Sequence, residues 1–337
     1  MSFAPRVPVV YGGGGIGAPD TFCKLTTVEA AQEVYDAWCR ITGPSGIDTS
    51  AIYGLGTSEV LISKMNLHGS FVDTKCYPIS PGAHSYDNIK KAVNESVKKL
   101  EGIQIRVFYL HAPDRTVAFK ETLRAINELH GEGKFEQFGL SNFRSYEVAE
   151  IVTIARANGW IQPTVYEGVY SPIDRVVETE LLPCLQRYNI KFAAYSPLAG
   201  GLLVGHQFSG AEPKIVVEDN SHWDTRLPFG AFFSSRYGHV LPAVHELKKF
   251  VDTKGINLNQ ASVRWLQHHG ALTPNHDFII FGGSKASHVE QTLKYCLEGP
   301  LPGDVVEAFE RCYKAIKADI PNYHHDPAWY KPEVHGV

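Results

Sequence analysis

The stretch VFYLHAPDRTVAFKETLRAINELHGEGKFEQFGL, residues 107–140, contains a short apolar run, an amphipathic segment and a second short apolar run. In the amphipathic segment Ala118–Glu132, apolar residues recur at three- and four-residue spacing, which is typical of a helix with one buried face. The runs Val107–His111 and Phe135–Leu140 are short and rich in aromatic and branched residues, as buried strands are. A helix that joins two buried strands indicates that the strands are parallel.

The same alternation of strand and helix recurs along the chain. Further amphipathic segments are Thr27–Arg40, Ser85–Leu100 and Tyr146–Ala157. The eight candidate strands are Val7–Tyr11, Gly46–Asp48, Phe71–Thr74, Val107–His111, Phe135–Leu140, Pro163–Val169, Phe192–Tyr195 and Phe278–Phe281. Strict alternation implies a parallel sheet, and eight strands suggest that the sheet closes, so the predicted fold is α/β, a (β/α)8 TIM barrel.

One domain is predicted for residues 1–337, because a single α/β barrel fills such a length. Two segments depart from the alternation. A long irregular loop over 203–237 follows the seventh candidate strand, and a loop of this length is typical of a lid or a binding segment. A tail over 319–337, rich in aromatic residues and histidines, follows a last helix near Asp304–Ala318.

The composition is that of an ordinary globular protein. Hydrophobic residues make up 44% and charged residues 20%, and the net charge of -4 gives no basic excess for binding nucleic acid. No apolar run approaches the ~18 residues of a membrane span, and the first residues do not resemble a signal peptide, so we expect a cytoplasmic protein without membrane contact. The six cysteines include no Cys-x-x-Cys pair, which favours reduced thiols and no metal site.

One glycine motif suggests a different cofactor fold. Gly12, Gly14 and Gly17 follow the first candidate strand with the spacing of a Rossmann dinucleotide-binding fingerprint. That fingerprint requires a helix that opens within the motif, whereas here Ala18–Asp20 follows and helical periodicity begins only near Thr27. We therefore favour a glycine turn above the first strand, close to the substrate, over a Rossmann dehydrogenase.

Polar residues stand at the carboxyl ends of three consecutive candidate strands. Asp48 ends the second strand, Lys75 the third and His111 the fourth, while Tyr53 lies five residues after Asp48. Barrel enzymes build their active sites at this face. Each residue alone has an ordinary explanation, respectively a helix-capping aspartate, a surface lysine, a histidine bonded at the strand rim and a half-buried tyrosine. Their equivalent positions on neighbouring strands indicate a shared catalytic site.

These residues, with several further motifs, give the sequence a resemblance to the aldo-keto reductases, and within them to the branch of aflatoxin-aldehyde and succinic-semialdehyde reductases. The resemblance covers nearly the whole chain. Its motifs are Asp48-Thr49-x-x-x-Tyr53-Gly54, Gly56-Thr57-Ser58-Glu59, Thr74-Lys75, Tyr109–Asp114, Gly139–Phe143 and Ala194–Gly201. It implies an enzyme that reduces small carbonyl substrates with NADP(H), with Asp48, Tyr53, Lys75 and His111 as its catalytic tetrad.

The chemistry of the four side chains agrees with that implication. A phenol with an ordinary pKa of about 10 is a poor acid at neutral pH, and we expect the Lys75 ammonium to lower the pKa of Tyr53. Asp48 would hold Lys75 charged and oriented. His111 would position the substrate carbonyl oxygen beside the Tyr53 hydroxyl, so that Tyr53 donates the proton.

The resemblance also implies the contacts to the cofactor. Tyr195 offers a flat face on which a nicotinamide can stack. A segment after the eighth strand, leading into a helix, is expected to bind the cofactor phosphates. The predicted cofactor-binding residues are Ser141, Asn142, Glu167, Tyr195, Ser196, Leu198, Gly200, Arg236, Gly283, Ser284, Lys285, His288 and Gln291.

Three of these positions depart from the usual pattern or compensate for it. His288 stands where many aldo-keto reductases carry an arginine for the 2′-phosphate of NADPH. We expect Arg236 from the long loop to supply that charge, with a solvated loop charge as the alternative. Glu167 stands where related reductases carry a glutamine that binds the nicotinamide carboxamide. We expect Glu167 at the nicotinamide, with a side chain turned to solvent as the alternative.

Two classes of function are open at this point. The first is an NADPH-dependent carbonyl reductase. The second is a redox-sensing subunit that keeps the barrel and the cofactor but turns over little. A homodimer is compatible with the branch, in which dimers occur.

Overall fold

A computed structural model describes residues 3–21, 23–205, 208, 213, 215–217 and 222–331, apart from the side chains of residues 228 and 229. Eight parallel strands form a closed barrel in sequence order, and the eighth strand pairs with the first. The predicted (β/α)8 barrel is therefore confirmed. The closed barrel also excludes the Rossmann interpretation of Gly12, Gly14 and Gly17, because that fold requires an open sheet.

The strands coincide closely with the predicted ones. They are β1 (Val9–Gly12), β2 (Ile47–Asp48), β3 (Val72–Cys76), β4 (Ile105–Leu110), β5 (Phe135–Ser141), β6 (Pro163–Val169), β7 (Lys191–Tyr195) and β8 (Phe278–Gly282). Backbone pairing between the β2 and β3 regions continues beyond Asp48, because Thr49 N donates to Asp73 O at 2.8 Å and Ala51 N to Lys75 O at 2.9 Å. The loop that carries Tyr53 thus starts as an extension of the sheet.

Helices surround the barrel. In the described part of the chain they are α1 (Val28–Thr42), α2 (Ser58–Ser63), α3 (Tyr86–Lys99), α4 (Phe119–Gly131), α5 (Ser145–Asn158), α6 (Leu181–Tyr188), α7 (Pro228–Tyr237), α8 (Leu241–Asp252), α9 (Leu258–His268), α10 (Ala286–Tyr295) and α11 (Gly303–Ile316). The Thr27 side chain caps α1 by accepting from Ala30 N, and Gly43, with a φ of 69°, ends it. None of the described helices is long and apolar enough to cross a membrane.

The segment after β7 differs from the prediction. Residues 228–237 of the predicted loop form α7, which begins with proline in its first turn. The sequence shows no helical periodicity here because the apolar residues of α7 are not confined to one face. Residues 206, 207, 209–212, 214 and 218–221 of the loop, and 332–337 of the tail, lie outside the described residues.

Two cores stabilise the barrel. The larger core lies between the strands and the helices and includes the fully buried rings of Tyr35 and Trp38. The smaller one fills the barrel interior with Val10, Val107, Tyr109, Val165, Ala193, Phe278 and Ile280. Partly buried Arg106 forms an ion pair with buried Asp73, with Arg106 Nε 2.9 Å from Asp73 Oδ1.

The described part of the tail lies over the carboxyl-end face of the barrel. Trp329 Nε1 donates to Pro78 O at 2.8 Å, and Tyr323 accepts from Ser145 N at 2.9 Å. Arg236 of α7 donates to the carbonyl oxygens of Pro321 and Asn322, both at 3.1 Å. The tail is therefore attached to loops that follow several different strands.

Arg236 connects the tail to the barrel through a buried ion pair. Its Nε lies 2.7 Å from Asp174 Oδ2, and both side chains are almost completely buried. Removing one member of a buried pair leaves the other charge without compensation.

We expect Arg236→Ala to lower the free energy of unfolding by about 3–5 kcal/mol in urea denaturation, because it leaves the buried Asp174 carboxylate without its cation. Arg236→Ala combined with Asp174→Asn should recover part of the loss. Arg311→Ala is the matched control, since its ion pair with Glu307 is exposed, and it should change stability by less than about 0.5 kcal/mol. Equal effects of Arg236→Ala and Arg311→Ala would contradict this role of Arg236.

Candidate active site

A buried ion pair forms the base of the site. Lys75 near the end of β3 is fully buried, and its Nζ donates to Asp48 Oδ2 at 2.5 Å. Burial alone would lower the pKa of Lys75, but the charges of Asp48 and Glu167 more than offset it and the net shift is upward. Lys75 is therefore a permanent cation at neutral pH.

Tyr53 stands over this cation on a loop built from close glycine contacts. Lys75 Nζ lies 5.3 Å from the centre of the Tyr53 ring. Gly54, with a φ of 55°, packs against Gly17 so tightly that a Cβ on Gly17 would come within 2.6 Å of Gly54 Cα. A Cβ on Gly14 would lie 3.7 Å from the Tyr53 ring. The glycines of the first loop thus let it pack directly against the loop that presents Tyr53.

The expectation that Lys75 lowers the pKa of Tyr53 below its ordinary value is wrong for this structure. Burial is the largest effect and raises the pKa of Tyr53, and Asp48 and Glu167 raise it further. Lys75 does lower it, as expected, but not enough to reverse the sign. The main reason is that the ring is buried, and the two carboxyls beside Lys75 offset part of the effect of its charge.

His111 completes the four predicted residues. It follows β4, and its ring centre lies 5.9 Å from that of Tyr53 at an angle of 82°. Burial and the charge of Lys75 hold the pKa of His111 well below its usual range, so the imidazole is neutral. Asp48, Tyr53, Lys75 and His111 are thus brought together, as the sequence predicted.

Ser50 is a residue that the sequence reasoning missed. Its Oγ lies 3.1 Å from His111 Nδ1 and 3.1 Å from Lys75 O. The hydroxyl has one proton to donate. When Ser50 donates to Lys75 O, it accepts from His111 Nδ1, and when it donates to His111 Nδ1, the imidazole carries its proton on Nε2 and can donate to a substrate carbonyl. The position of Ser50, two residues after Asp48 in the catalytic loop, was the available signal.

Glu167 lies inside the barrel, where β6 pairs it with Ser141 of β5 and Ala193 of β7. The side chain is 3% exposed, and its Oε2 lies 3.2 Å from Lys75 Nζ. The alternative of a side chain turned to solvent is therefore wrong. Burial raises the pKa of Glu167 above its ordinary value, against the lowering effect of Lys75.

The predicted nicotinamide contacts gather at the ends of β5 and β7. Tyr195 Oη donates to Asn142 Oδ1 at 3.0 Å, and Asn142 Nδ2 donates to Ser141 Oγ and to His111 O, both at 2.9 Å. Asn142 and Ser196 have φ values of 65° and 51°, which residues other than glycine rarely adopt. Such strain concentrates at functional sites. The arrangement fits a flat ring held against Tyr195.

The predicted phosphate-binding segment follows β8. A Cβ on Gly283 would come within 2.7 Å of Val289, so the segment packs closely against α10. Ser284 and Lys285 lead directly into the amino end of this helix, where unpaired amide groups attract anions. Lys285, His288 and Gln291 are exposed. Leu198 and Gly200 lie after β7, half-buried, and a Cβ on Gly200 would come within 2.6 Å of Phe233.

Arg236 occupies a different environment from the one expected. It belongs to α7, and all three of its guanidinium nitrogens bond to Asp174 or to carbonyl oxygens of the tail. Its contact with the 2′-phosphate stays a prediction, and the bonds in the structure favour a role in holding the tail.

The tail supplies one wall of the site. His325 stacks on Tyr77 with ring centres 6.0 Å apart, and Tyr77 meets His111 edge-on at 5.4 Å. Burial lowers the pKa of His325 to about 4, so this wall is aromatic and neutral. Arg115 bonds to Glu147 and Asp326 and thereby fixes the tail next to His325.

Within the described residues, no three histidine, cysteine, aspartate or glutamate side chains are grouped so as to hold a metal ion. The site itself combines the Tyr53 phenol with a fixed cation, Lys75, and a neutral imidazole, His111.

Comparison with known proteins identifies the family. The sequence model of the Aldo/keto reductase family matches residues 8–314. Aflatoxin B1 aldehyde reductase member 4 from Homo sapiens is 37% identical over 302 residues, which cover 83% of this chain and 88% of that protein. Aldo-keto reductase pigE from Monascus ruber is 32% identical over 339 residues, 95% of this chain and 98% of its own.

A solved structure shares the fold. The crystal structure of an aldo/keto reductase from Klebsiella pneumoniae in complex with NADP and acetate covers 93% of this chain and 96% of its own, with a TM-score of 0.64 and 18% identity. The chain belongs to the aldo/keto reductase family, a family of oxidoreductases that act on carbonyl compounds. The resemblance predicted from the sequence, including the aflatoxin-aldehyde branch, is confirmed.

We expect Ser50→Ala to lower kcat/KM by up to about tenfold, the usual effect of losing one hydrogen bond, because His111 loses the partner at Nδ1 that fixes its tautomer. The dissociation constant of the cofactor should not change. Ser63→Ala, at the end of α2, is the matched control. An unchanged kcat/KM in Ser50→Ala would show that Ser50 does not set the tautomer of His111.

Proposed function

We propose that this chain reduces aldehydes or ketones to alcohols with NADPH, and that Tyr53 donates the proton. The observation that carries the proposal is the convergence of Tyr53, neutral His111 and the buried Lys75–Asp48 pair at the carboxyl-end face of the barrel. Active sites of barrel enzymes lie at this face.

Tyr53 is suited to hold a proton until it is needed. Its raised pKa keeps the phenol protonated at neutral pH. When bound, NADPH supplies the hydride that converts the carbonyl into an alkoxide. An alkoxide is far more basic than a phenolate, so Tyr53 can protonate it despite the raised pKa. The adjacent Lys75 cation then stabilises the phenolate that remains.

His111 and the nicotinamide residues would fix the geometry of the reaction. Neutral His111, with its proton on Nε2, would donate to the carbonyl oxygen and hold it beside the Tyr53 hydroxyl. Tyr195 would stack on the nicotinamide ring, with Ser141 and Asn142 at its edge. These residues would orient the substrate and the cofactor rather than transfer a proton.

The phosphates of the cofactor would bind at the amino end of α10. The Ser284 hydroxyl and the amide groups of Ala286 and Ser287, at the start of the first turn, suit the pyrophosphate or the 2′-phosphate, and the exposed Lys285 adds a positive charge. His288 and Gln291 lie further along the same helix. We further propose a cytoplasmic location and a homodimer, which stay predictions from the sequence.

We expect purified protein to oxidise NADPH steadily with a reactive aromatic aldehyde, and to do so more slowly with NADH. Tyr53→Phe should lose about 10²–10⁴-fold in kcat, because it removes the general acid, while the dissociation constant of NADPH measured by fluorescence stays the same. Tyr146→Phe is the control, since Tyr146 is 57% exposed.

Two results would contradict the proposal. Turnover close to wild type in Tyr53→Phe would refute the role of Tyr53. Tight NADPH binding without turnover across aldehydes, dicarbonyls and ketones would instead support a redox-sensing subunit.

We expect Lys285→Ala to raise the dissociation constant of NADPH by about tenfold or more at low ionic strength, because a charge-assisted contact to the 2′-phosphate is lost. NADH has no such phosphate, so its dissociation constant should barely change. Lys294→Ala, in the last turn of the same helix, is the matched control. A similar loss for both cofactors would place Lys285 away from the 2′-phosphate.

A further inference from the structure

Lys75 has two carboxylate neighbours rather than one. Asp48 Oδ2 lies 2.5 Å and Glu167 Oε2 lies 3.2 Å from Lys75 Nζ. The exposed fractions of Lys75, Asp48 and Glu167 are 0%, 3% and 3%. If both carboxyls were ionised, this buried group would carry one net negative charge.

No other described cation near the group compensates for that charge. Arg106 forms an ion pair with Asp73 instead. Asp73 lies two residues before Lys75 on the same face of β3. The remaining titratable groups that face the cluster are neutral at pH 7, because burial raises the pKa of Tyr53, Tyr109 and Tyr195 and lowers that of His111. An uncompensated buried charge is strongly unfavourable, so the cluster gains stability by keeping a proton.

The hydrogen bonds also leave a place for that proton. Asp48 Oδ1 and Glu167 Oε2 are buried and have no hydrogen-bond partner among the described residues. Glu167 Oε2 is near Lys75 Nζ but does not accept a hydrogen bond from it with good geometry. A buried oxygen without a partner is uncommon in a folded protein, and a proton held between the two carboxyls would satisfy both side chains.

We propose that Asp48 and Glu167 share one proton at neutral pH, which makes the cluster with Lys75 electrically neutral and makes Glu167 a positioning residue for Lys75. The geometry of the three side chains carries this inference. Burial and the charge of Glu167 raise the pKa of Asp48 to about 8, against the lowering effect of Lys75. The functional part of the inference rests on the reaction proposed above.

The shared proton affects Tyr53 through charge. When the proton leaves as the pH rises, both carboxyls are ionised, and their charges raise the pKa of Tyr53 further. A phenol with a higher pKa is a weaker acid, so carbonyl reduction should slow as the pair ionises. In Glu167→Gln the ion pair of Asp48 and Lys75 is already neutral, and this alkaline decline should disappear.

The first test counts protons without using activity. The folded wild type keeps the shared proton up to about pH 8, whereas in the unfolded chain both carboxyls ionise near pH 4. The folded pKa is raised, so its stabilising effect is lost as the pH rises towards the folded value. Between about pH 5 and 8, the unfolding equilibrium constant of the wild type should therefore rise about tenfold per pH unit relative to that of Glu167→Gln.

Glu147→Gln is the matched control for this measurement. Glu147 is 2% exposed and is paired with Arg115, so it is a buried carboxyl that lies outside the cluster around Lys75. Its unfolding constant should stay parallel to that of the wild type over the same pH range. Parallel curves for Glu167→Gln and wild type would overturn the shared proton.

A second measurement covers the case in which Glu167→Gln does not fold. Infrared spectra of wild-type protein labelled with ¹³C-aspartate or ¹³C-glutamate should show, at pH 7, the carbonyl stretch of a protonated carboxylic acid that shifts with either label. Absence of this band would overturn the shared proton as well.

The pH profile of kcat separates this inference from the proposed function. The wild type should lose rate above about pH 8 while Glu167→Gln keeps it, and identical profiles would overturn the effect on Tyr53. The unfolding data decide whether the proton is shared even if no aldehyde is reduced, so failure of the function and failure of this inference give different results.

Discussion

Lys75 carries its charge inside the wall of a barrel, where a cation is stable only beside a fixed carboxylate. Asp48 meets that requirement because β2 and β3 are parallel neighbours and place the two side chains on the same interior face. The rest of the site depends on this contact. Tyr53 stands over Lys75, which would stabilise a Tyr53 phenolate in the proposed reaction, and Glu167 adds a second carboxyl that changes the charge of the whole group.

The sequence predicted the features that depend on local order. Strand and helix alternation defined the barrel, and the ends of β2, β3 and β4 identified Asp48, Lys75 and His111, because parallel strands bring their carboxyl ends to one face. It did not predict the sign of the shift in the pKa of Tyr53. That sign depends on how deeply the ring is buried and on two carboxyls from other strands, neither of which a motif records.

Contacts between distant segments were also beyond the sequence. The sequence suggested that Arg236 is a loop cation available to a phosphate. Instead it lies in a helix and bonds to Asp174, 62 residues before it, and to the tail, more than eighty residues after it. The only signal for Ser50 in the sequence was its place in the loop after Asp48, because its importance comes from a bond to His111, sixty-one residues later. The hydrogen-bond partners of Arg236 and Ser50 are determined by how distant segments pack in the folded chain, and the sequence alone does not give that packing.

The tail connects these contacts to the chemistry. Because burial lowers the pKa of His325 to about 4, the wall that it forms with Tyr77 brings no charge to the site. A neutral wall that excludes water lowers the local dielectric constant, and Coulomb interactions become stronger as that constant falls. In the proposed reaction, the attraction between Lys75 and a Tyr53 phenolate should therefore depend on the position of the tail. Arg236, paired with Asp174, binds the tail. A structural ion pair at the rim thus contributes to the electrostatics at the base of the site.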